Sequence, residues 1–134
     1  MPILENFFIN NKIYNPPLKS FKERKNLMTR KLEYANLKAK FPNKVTVVIE
    51  RYAKERNLPM LDKTKFLVPE DLPVSRLLMI IRNRMDIGEN QAVYVMTANK
   101  TMLTMSRTMA EVYEEHADED GFVYLTYASQ SVFG

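Results

Sequence analysis

The chain has 134 residues, a formal net charge of +4 and a hydrophobic content of 46%. These values suit one domain with a single, modest core. No apolar run approaches the roughly 18 residues that a membrane-spanning helix requires, so no span is expected. The sequence contains no cysteine, which excludes disulfides, thiolate catalysis and cysteine-ligated zinc and suits a reducing cytoplasmic environment.

Positive charge is concentrated near the N-terminus. Residues 1–41 contain nine Lys or Arg and three Glu, a net charge of +6, which leaves −2 for the remaining chain. A basic block of this kind indicates either an acidic partner or a solvated helix face, and the second is commoner for a run of charge. Acidic peptides, anionic lipid, tubulin tails and nucleic acid are all candidate partners at this level.

Residues 1–19 differ in composition from the rest of the chain. They contain four asparagines and a proline pair, so regular structure is expected to fail and the region is predicted to be a flexible N-terminal extension. Its apolar cluster, Phe7, Phe8 and Ile9, is followed by lysines. This pattern is compatible with contact to an anionic membrane or with folding back over the domain.

Two short helices are predicted next, over residues 20–31 and 32–41. Ser20 with Glu23 three residues later is typical of a capping box that opens the first helix. Pro42 is expected to end the second helix, because proline disfavours helical geometry in the residue before it.

The central part of the chain predicts a hairpin followed by a long helix. The β-branched run KVTVVIER at 44–51 and the segment KFLVP at 65–69 indicate two strands with a short connection. Residues 74–86 show the apolar spacing of an amphipathic helix. Its expected buried stripe consists of Val74, Leu77, Leu78, Ile81 and Met85.

The C-terminal part predicts further strands around one helix. Residues 92–98 and 101–105 are expected to form strands, and Thr108 with Glu111 is typical of a second capping box, opening a helix that reaches about His116. Residues 122–127 predict the last strand, followed by a flexible tail over residues 128–134. Without the first two helices, this order is the β-grasp arrangement of ubiquitin. We therefore predict an α+β, ubiquitin-like domain over 20–127 with two additional N-terminal helices.

Catalytic constellations are missing from the sequence. His116 is the only histidine and the three glycines form no phosphate-binding loop, so we expect neither an enzyme nor a bound metal or cofactor.

Eight segments resemble one known family in order and spacing. They are FKERK (21–25), KFPNK (40–44), VIERY (48–52), LPMLDKTKFLVP (58–69), IIRNRM (80–85), TMAEVY (108–113), DEDGFVY (118–124) and YASQSVFG (127–134). Together they resemble the light chain 3 branch of the autophagy-related ubiquitin-like modifiers, and among its subgroups the C form. The resemblance covers about residues 20–134. LDKTKFLVP and the aromatic–glycine pair are specific in combination.

The resemblance implies a non-enzymatic modifier. A cysteine protease would process and delipidate it, and activating and conjugating enzymes would couple Gly134 to phosphatidylethanolamine on autophagosomal membranes. Its implied partners are cargo receptors and autophagy proteins that carry an aromatic residue, two spacers and an aliphatic residue, usually with acidic flanks. The protein would be cytoplasmic, and attached to the autophagosome membrane when lipidated.

The resemblance also implies which residues bind the motif. The aromatic pocket would use Glu33, Leu37, Val45, Val48, Lys65, Leu67 and Phe122. The aliphatic pocket would use Val47, Phe66, Val68, Pro69, Leu77, Ile80 and Arg84. The acidic flank would meet Arg24, Lys25, Lys44 and Lys63. On sequence alone, the apolar members are expected to be ordinary core residues.

Strand alternation adds a physical reason for two pockets. In the second strand, Lys65 and Leu67 point to one side while Phe66 and Val68 point to the other. At a sheet edge, such a strand can accept an added peptide strand. Thr46 stands where the family usually has proline, beside the expected aromatic pocket.

Two other functions stay open at this stage. A non-covalent adaptor could bind microtubules through the basic N-terminal helices, since tubulin tails are acidic. A nucleic-acid binder, which we do not expect, would use the same basic block with Tyr14, Phe21 and Tyr34 as stacking residues.

Overall fold

The structure, a computed structural model, describes residues 19–130. Its elements are α1 (Phe21–Arg24), α2 (Leu27–Lys40), β1 (Lys44–Arg51), β2 (Lys65–Pro69), α3 (Val74–Met85), β3 (Tyr94–Thr97), α4 (Met109–His116) and β4 (Val123–Ala128). The predicted extension lies outside the described residues except for Lys19, as do the last four residues of the predicted tail. None of the helices in this part of the chain has the length and apolarity to cross a bilayer.

The strands form one mixed sheet in the order β2-β1-β4-β3. β1 pairs antiparallel with β2 and parallel with β4, and β3 pairs antiparallel with β4. A hairpin followed by a crossing helix, with two parallel strands at the centre of the sheet, is the β-grasp arrangement. The predicted α+β, ubiquitin-like fold with two added N-terminal helices is therefore confirmed, and β2 lies at one edge of the sheet.

Alternation along β1 gives the sheet two buried faces. On one face the main core joins the sheet to α3 and α4, and it contains Val45, Val47 and Ile49 of β1. The predicted stripe of α3 packs into this core, with Leu78 half-buried at its margin. On the other face a smaller cluster of Phe21, Val48 and Phe122 lies beneath α1 and α2.

The two N-terminal helices are attached to the sheet by polar contacts as well as by apolar packing. The Ser20–Glu23 capping box is present, and the Phe21 N–H donates to a Glu50 carboxylate oxygen at 2.8 Å. Arg30 Nε lies 2.8 Å from an oxygen of Asp120, whose side chain is fully buried. The Phe21 contact joins α1 to β1, and the Arg30 contact joins α2 to the turn before β4.

Gly121 occupies a position that only glycine fits. Its φ of +100° is left-handed, and an added Cβ would lie 2.3 Å from the Tyr34 ring. We expect Gly121→Ala to lower the free energy of unfolding by about 2 kcal/mol, because it combines backbone strain with a steric clash. Urea unfolding measures this, with Gly88→Ala as the control, since a Cβ there meets nothing within 4 Å. Equal stability of the two variants would contradict this account.

The break between the first two helices was predicted in the wrong place. It lies at residues 25–26 and not between 31 and 32, because Asn26 caps α2 and accepts from the Thr29 N–H at 2.9 Å. Once capped there, α2 continues without interruption to Lys40.

The predicted strand at 101–105 is also wrong. In this segment only Met102 forms an isolated bridge, to Met96. The backbone carbonyls of Met105 and Arg107 instead accept hydrogen bonds from the N–H groups of Ser75 and Val74 at 3.0 and 2.8 Å. They therefore satisfy free N–H groups in the first turn of α3.

Smaller differences concern element ends. β3 is shorter than the predicted 92–98, and β4 runs one residue beyond the predicted 127. Ala128 and Ser129, predicted to begin the flexible tail, are both buried.

Candidate functional site

The exposed edge of β2 carries unused backbone hydrogen-bonding groups. Ile49 N–H donates to the Thr64 carbonyl at 2.8 Å, which marks this pair as hydrogen-bonded. Because hydrogen-bonded and non-hydrogen-bonded pairs alternate in an antiparallel ladder, the N–H and C=O of Lys65 and Leu67 point away from β1. No other strand of the described chain pairs with β2 on that side. The edge can therefore accept one more strand.

On the α2 side, this edge borders a hollow with an apolar floor. Lys65 and Leu67 are half-buried, and Lys65 Nζ lies 2.7 Å from a Glu33 carboxylate oxygen on α2. Leu37 packs against the small cluster beneath, in which Val48 and Phe122 are fully buried. The geometry brings six of the seven predicted aromatic-pocket residues together. Glu33, Leu37, Lys65 and Leu67 form the accessible wall, and Val48 and Phe122 form the floor.

Val45 does not belong to this hollow, contrary to the prediction. It faces the main core, because neighbouring residues of a strand alternate between faces and Val48 faces α2. Thr46 takes its place, since it lies on the face of Val48 and opposite Leu67 in the strand register. Alternation along KVTVVIER was the signal that could have identified Thr46.

Glu33 is held in its charged form. Partial burial acts to raise its pKa, but hydrogen bonds from Lys25 and Lys65 outweigh this effect, so the pKa is lowered from its usual value. Both lysines are thus engaged with one carboxylate at the mouth of the hollow. A peptide carboxylate that approaches here competes with Glu33 for them.

On the α3 side, most of the predicted aliphatic-pocket residues belong to the core. Val47 and Leu77 have no exposed surface, and Phe66 and Val68 are nearly as deeply buried. The accessible members are the other three, Pro69, Ile80 and Arg84.

Charged groups border this second side. Arg84 forms a two-bond ion pair with Asp62 at 2.9 and 2.7 Å. Hydrogen bonding from Arg84 is the largest cause of the lowered pKa of Asp62. The Lys63 ammonium and the Arg84 guanidinium lie 5.0 and 5.7 Å from the centre of the Phe66 ring. The second side is therefore an apolar surface rimmed by cations.

The four cations predicted to meet an acidic flank are not in one place. Arg24 and Lys63 line the same cavity beside the N-terminal end of β2. Lys25 pairs with Glu33 next to Lys65. Lys44 lies opposite Pro69, at the other end of β2.

That cavity was not predicted from the sequence. It has a volume of about 700 Å³ and lies between α1, the end of β1 and residues 60–64. Tyr52 and Lys100 line it too, and Lys100 Nζ is 5.5 Å from the Tyr52 ring centre. No sequence pattern brings residues 52 and 100 together, because their contact depends on the sheet order.

The aromatic residues proposed for nucleic-acid stacking are engaged elsewhere. Phe21 is 2% exposed and packs edge-on against Phe122. Tyr34 stacks on Tyr113, and their hydroxyl oxygens are 2.8 Å apart. Tyr14 lies outside the described residues. Phe21 and Tyr34 are therefore not available for base stacking.

Comparison with known proteins identifies the family. A sequence model of the family described as "Autophagy protein Atg8 ubiquitin like" matches residues 29–134. The chain is 54% identical over 119 residues to human microtubule-associated protein 1 light chain 3 gamma, covering 89% of this chain and 81% of that protein. It is 41% identical over 115 residues to protein lgg-2 of Caenorhabditis elegans, covering 86% of this chain and 88% of that protein.

A solved structure gives the same result for the fold. The chain superposes on the crystal structure of Trypanosoma brucei ATG8 with a TM-score of 0.78 and 30% identity, covering 85% of this chain and 97% of the other. The resemblance to the light chain 3 branch and its C form is confirmed. The chain belongs to the Atg8 family of ubiquitin-like autophagy proteins.

Proposed function

We propose that this chain is coupled through Gly134 to phosphatidylethanolamine and that the open edge of β2 captures short peptide motifs. The observation that carries the second part is the outward-facing backbone of Lys65 and Leu67, with a hollow on one side and an apolar surface on the other. An extended peptide adds to such an edge through backbone hydrogen bonds, and its side chains give specificity.

The spacing of the expected motif fits this geometry. In an extended peptide, residues separated by three positions project to opposite faces and lie about 10 Å apart along the strand. An aromatic residue, two spacers and an aliphatic residue thus send one anchor toward α2 and the other toward α3. Leu67 borders the first side, and the neighbouring Phe66 and Val68 border the second. A motif with one spacer would place both anchors on the same face.

The acidic flank of such a motif has complementary charges. Arg24 and Lys63 lie at the N-terminal end of β2, and Lys25 and Lys65 lie beside the hollow. These contacts are largely exposed, so they contribute mainly to the association rate and are weakened by salt. Partners in this proposal are motif-bearing cargo receptors and autophagy proteins.

Coupling of Gly134 to a lipid explains how the domain stays on a membrane. Phosphatidylethanolamine carries two acyl chains, which satisfies the need for more than one short chain in stable anchoring. In this proposal the protein is cytoplasmic before conjugation and resides on the autophagosome after it. Activating and conjugating enzymes attach it, and a cysteine protease processes and releases it. Incubation with these enzymes, ATP and phosphatidylethanolamine liposomes should yield the adduct.

Leu67→Ala should weaken peptide binding at least about tenfold. Truncating a residue at the centre of a binding pocket typically reduces the binding free energy by about 2 kcal/mol or more. Calorimetric titration with an aromatic-x-x-aliphatic peptide measures the dissociation constant, and a thermal melt checks the fold. Met102→Ala is the matched control, because Met102 is 48% exposed and bridges to β3 at the opposite edge of the sheet. An unchanged dissociation constant for a folded Leu67→Ala variant would show that the peptide binds elsewhere.

A further inference from the structure

Glu55 is a buried carboxylate that the peptide site does not use. It has no exposed surface and lies in the loop after β1. One of its oxygens, Oε2, accepts from the N–H groups of Asn57 and Leu58 at 2.8 and 2.9 Å. The other, Oε1, accepts from the N–H and the hydroxyl of Ser129 at 2.7 and 2.9 Å. The carboxylate therefore joins its own loop to the residue that follows β4.

The same loop holds the end of β4 at two further points. Tyr52 N–H donates to the Tyr127 carbonyl at 2.9 Å. The Tyr127 hydroxyl donates to the Pro59 carbonyl at 2.7 Å. Ser129 is thus the outermost of three successive contacts between this loop and the C-terminal strand. Beyond Ser129, the exposed Gln130 side chain accepts from the Tyr94 hydroxyl at 2.6 Å. The bonds of Ser129 to Glu55 are therefore the last buried contacts of the described chain in this direction.

The charge of Glu55 matters to this contact. Burial acts to raise its pKa, but the hydrogen bonds from Ser129, Asn57 and Leu58 outweigh burial, so the pKa is lowered. The four groups that contact it, three backbone N–H groups and one hydroxyl, all donate, and an ionised carboxylate is an acceptor at every site. A glutamine amide would present N–H groups to two of those donors. The Ser129 hydroxyl can accept as well as donate, whereas the backbone N–H groups of Asn57 and Leu58 cannot, so the amide nitrogen fits better on the Ser129 side. Glu55→Gln therefore keeps the shape of the side chain while removing the acceptor for the Ser129 N–H.

We propose that Glu55 is a positioning residue for conjugation, which fixes the point where the C-terminal tail leaves the domain. This inference rests on the proposed coupling at Gly134, five residues beyond Ser129. Five extended residues span at most about 17 Å. With Ser129 held, this span limits the reach of the tail from Ser129. Releasing Ser129 lengthens the free tail. A conjugation enzyme that binds both the domain and the tail must then order more residues, which costs conformational entropy.

The test compares the conjugation kinetics of four full-length chains, each at a range of concentrations, with the activating and conjugating enzymes. They are the unaltered protein, Glu55→Gln, Ser129→Ala and the control Glu89→Gln, an exposed glutamate. We expect Glu55→Gln to raise KM for thioester formation about tenfold with kcat nearly unchanged. Ser129→Ala removes the hydroxyl bond to Glu55 but keeps the backbone bond. It should raise KM about two- to threefold, because it loses only one hydrogen bond. Glu89→Gln should behave like the unaltered protein.

Two further measurements separate positioning from simple destabilisation. Amide hydrogen exchange in Glu55→Gln should accelerate at Ser129 but not at Leu125 in the middle of β4. The affinity of Ser129→Ala for a motif peptide should stay unchanged, because Ser129 follows β4, and β1 separates β4 from the open edge of β2. Unchanged KM despite faster exchange at Ser129 would overturn the positioning role, as would parallel losses of peptide binding and conjugation. If even the unaltered protein forms no thioester, the proposed conjugation itself fails, and the role of Glu55 fails with it.

Discussion

Asp120→Ala is expected to lower the free energy of unfolding by about 3 kcal/mol or more, the typical loss when one member of a buried ion pair is removed. Asp120 accepts from Arg30 Nε at 2.8 Å and from the Phe122 N–H at 2.9 Å, and the Tyr124 hydroxyl also donates to it. Alanine leaves all three donors without this acceptor, and buried donors without partners are costly.

The same substitution also affects how the N-terminal helices are held. Arg30 donates to the backbone carbonyls of Lys22 and Lys25 at 3.3 and 2.9 Å, so it joins α1, α2 and the turn before β4. Without Asp120, the guanidinium lacks its counter-charge in the unit that supports the wall of the peptide hollow. We therefore expect peptide affinity to fall together with stability.

Urea unfolding with linear extrapolation measures the change. Asp62→Ala is the matched control, because it removes the same side chain from the exposed ion pair with Arg84. Surface pairs of that kind contribute at most about 1 kcal/mol. If the two variants lose equal stability, the network around Asp120 does not anchor the helices.

The fold could be predicted largely because local signals agree with one another. The strands at 44–51 and 65–69 and the capping boxes at Ser20 and Thr108 appear where the pattern predicts them. The misplaced helix break missed a local signal, the Asn26 cap. The error at residues 101–105 occurs where a tertiary contact decides. The backbone at residues 105–107 forms no strand, because its carbonyls accept hydrogen bonds from the start of α3. The residues before it favour a strand by composition and give no sign of this contact.

The candidate site was less predictable, because it depends on which side chains reach the surface. Periodicity separates Lys65 and Leu67 from Phe66 and Val68, and the structure bears this out. The resemblance then added Val45, which alternation assigns to the main core, while Thr46 faces the hollow. The contact of Glu55 with Ser129 spans 74 positions in the sequence, and no local pattern indicates it.

Gly134→Ala is expected to reduce thioester and lipid adducts by about a hundredfold or more. Only glycine lacks a Cβ, so it allows the closest approach of a backbone to a reaction centre. A displacement of about 1 Å at a reacting group can cost that much in rate. Gly134 lies outside the described residues, so this expectation rests on the family and on the segment YASQSVFG. Adduct formation with activating and conjugating enzymes, ATP and phosphatidylethanolamine liposomes measures it.

Gly88→Ala is the control for this experiment, because a Cβ at Gly88 meets no atom within 4 Å and the adduct yield should not change. Peptide binding should be normal in both variants, since neither substitution changes a residue of β2. The expected defect differs in kind from that of Glu55→Gln, which should still reach full conjugation at high protein concentration. Gly134→Ala should not recover at any concentration, because the change lies at the reacting residue itself. Efficient lipidation of Gly134→Ala would mean that the coupling point lies elsewhere in the chain.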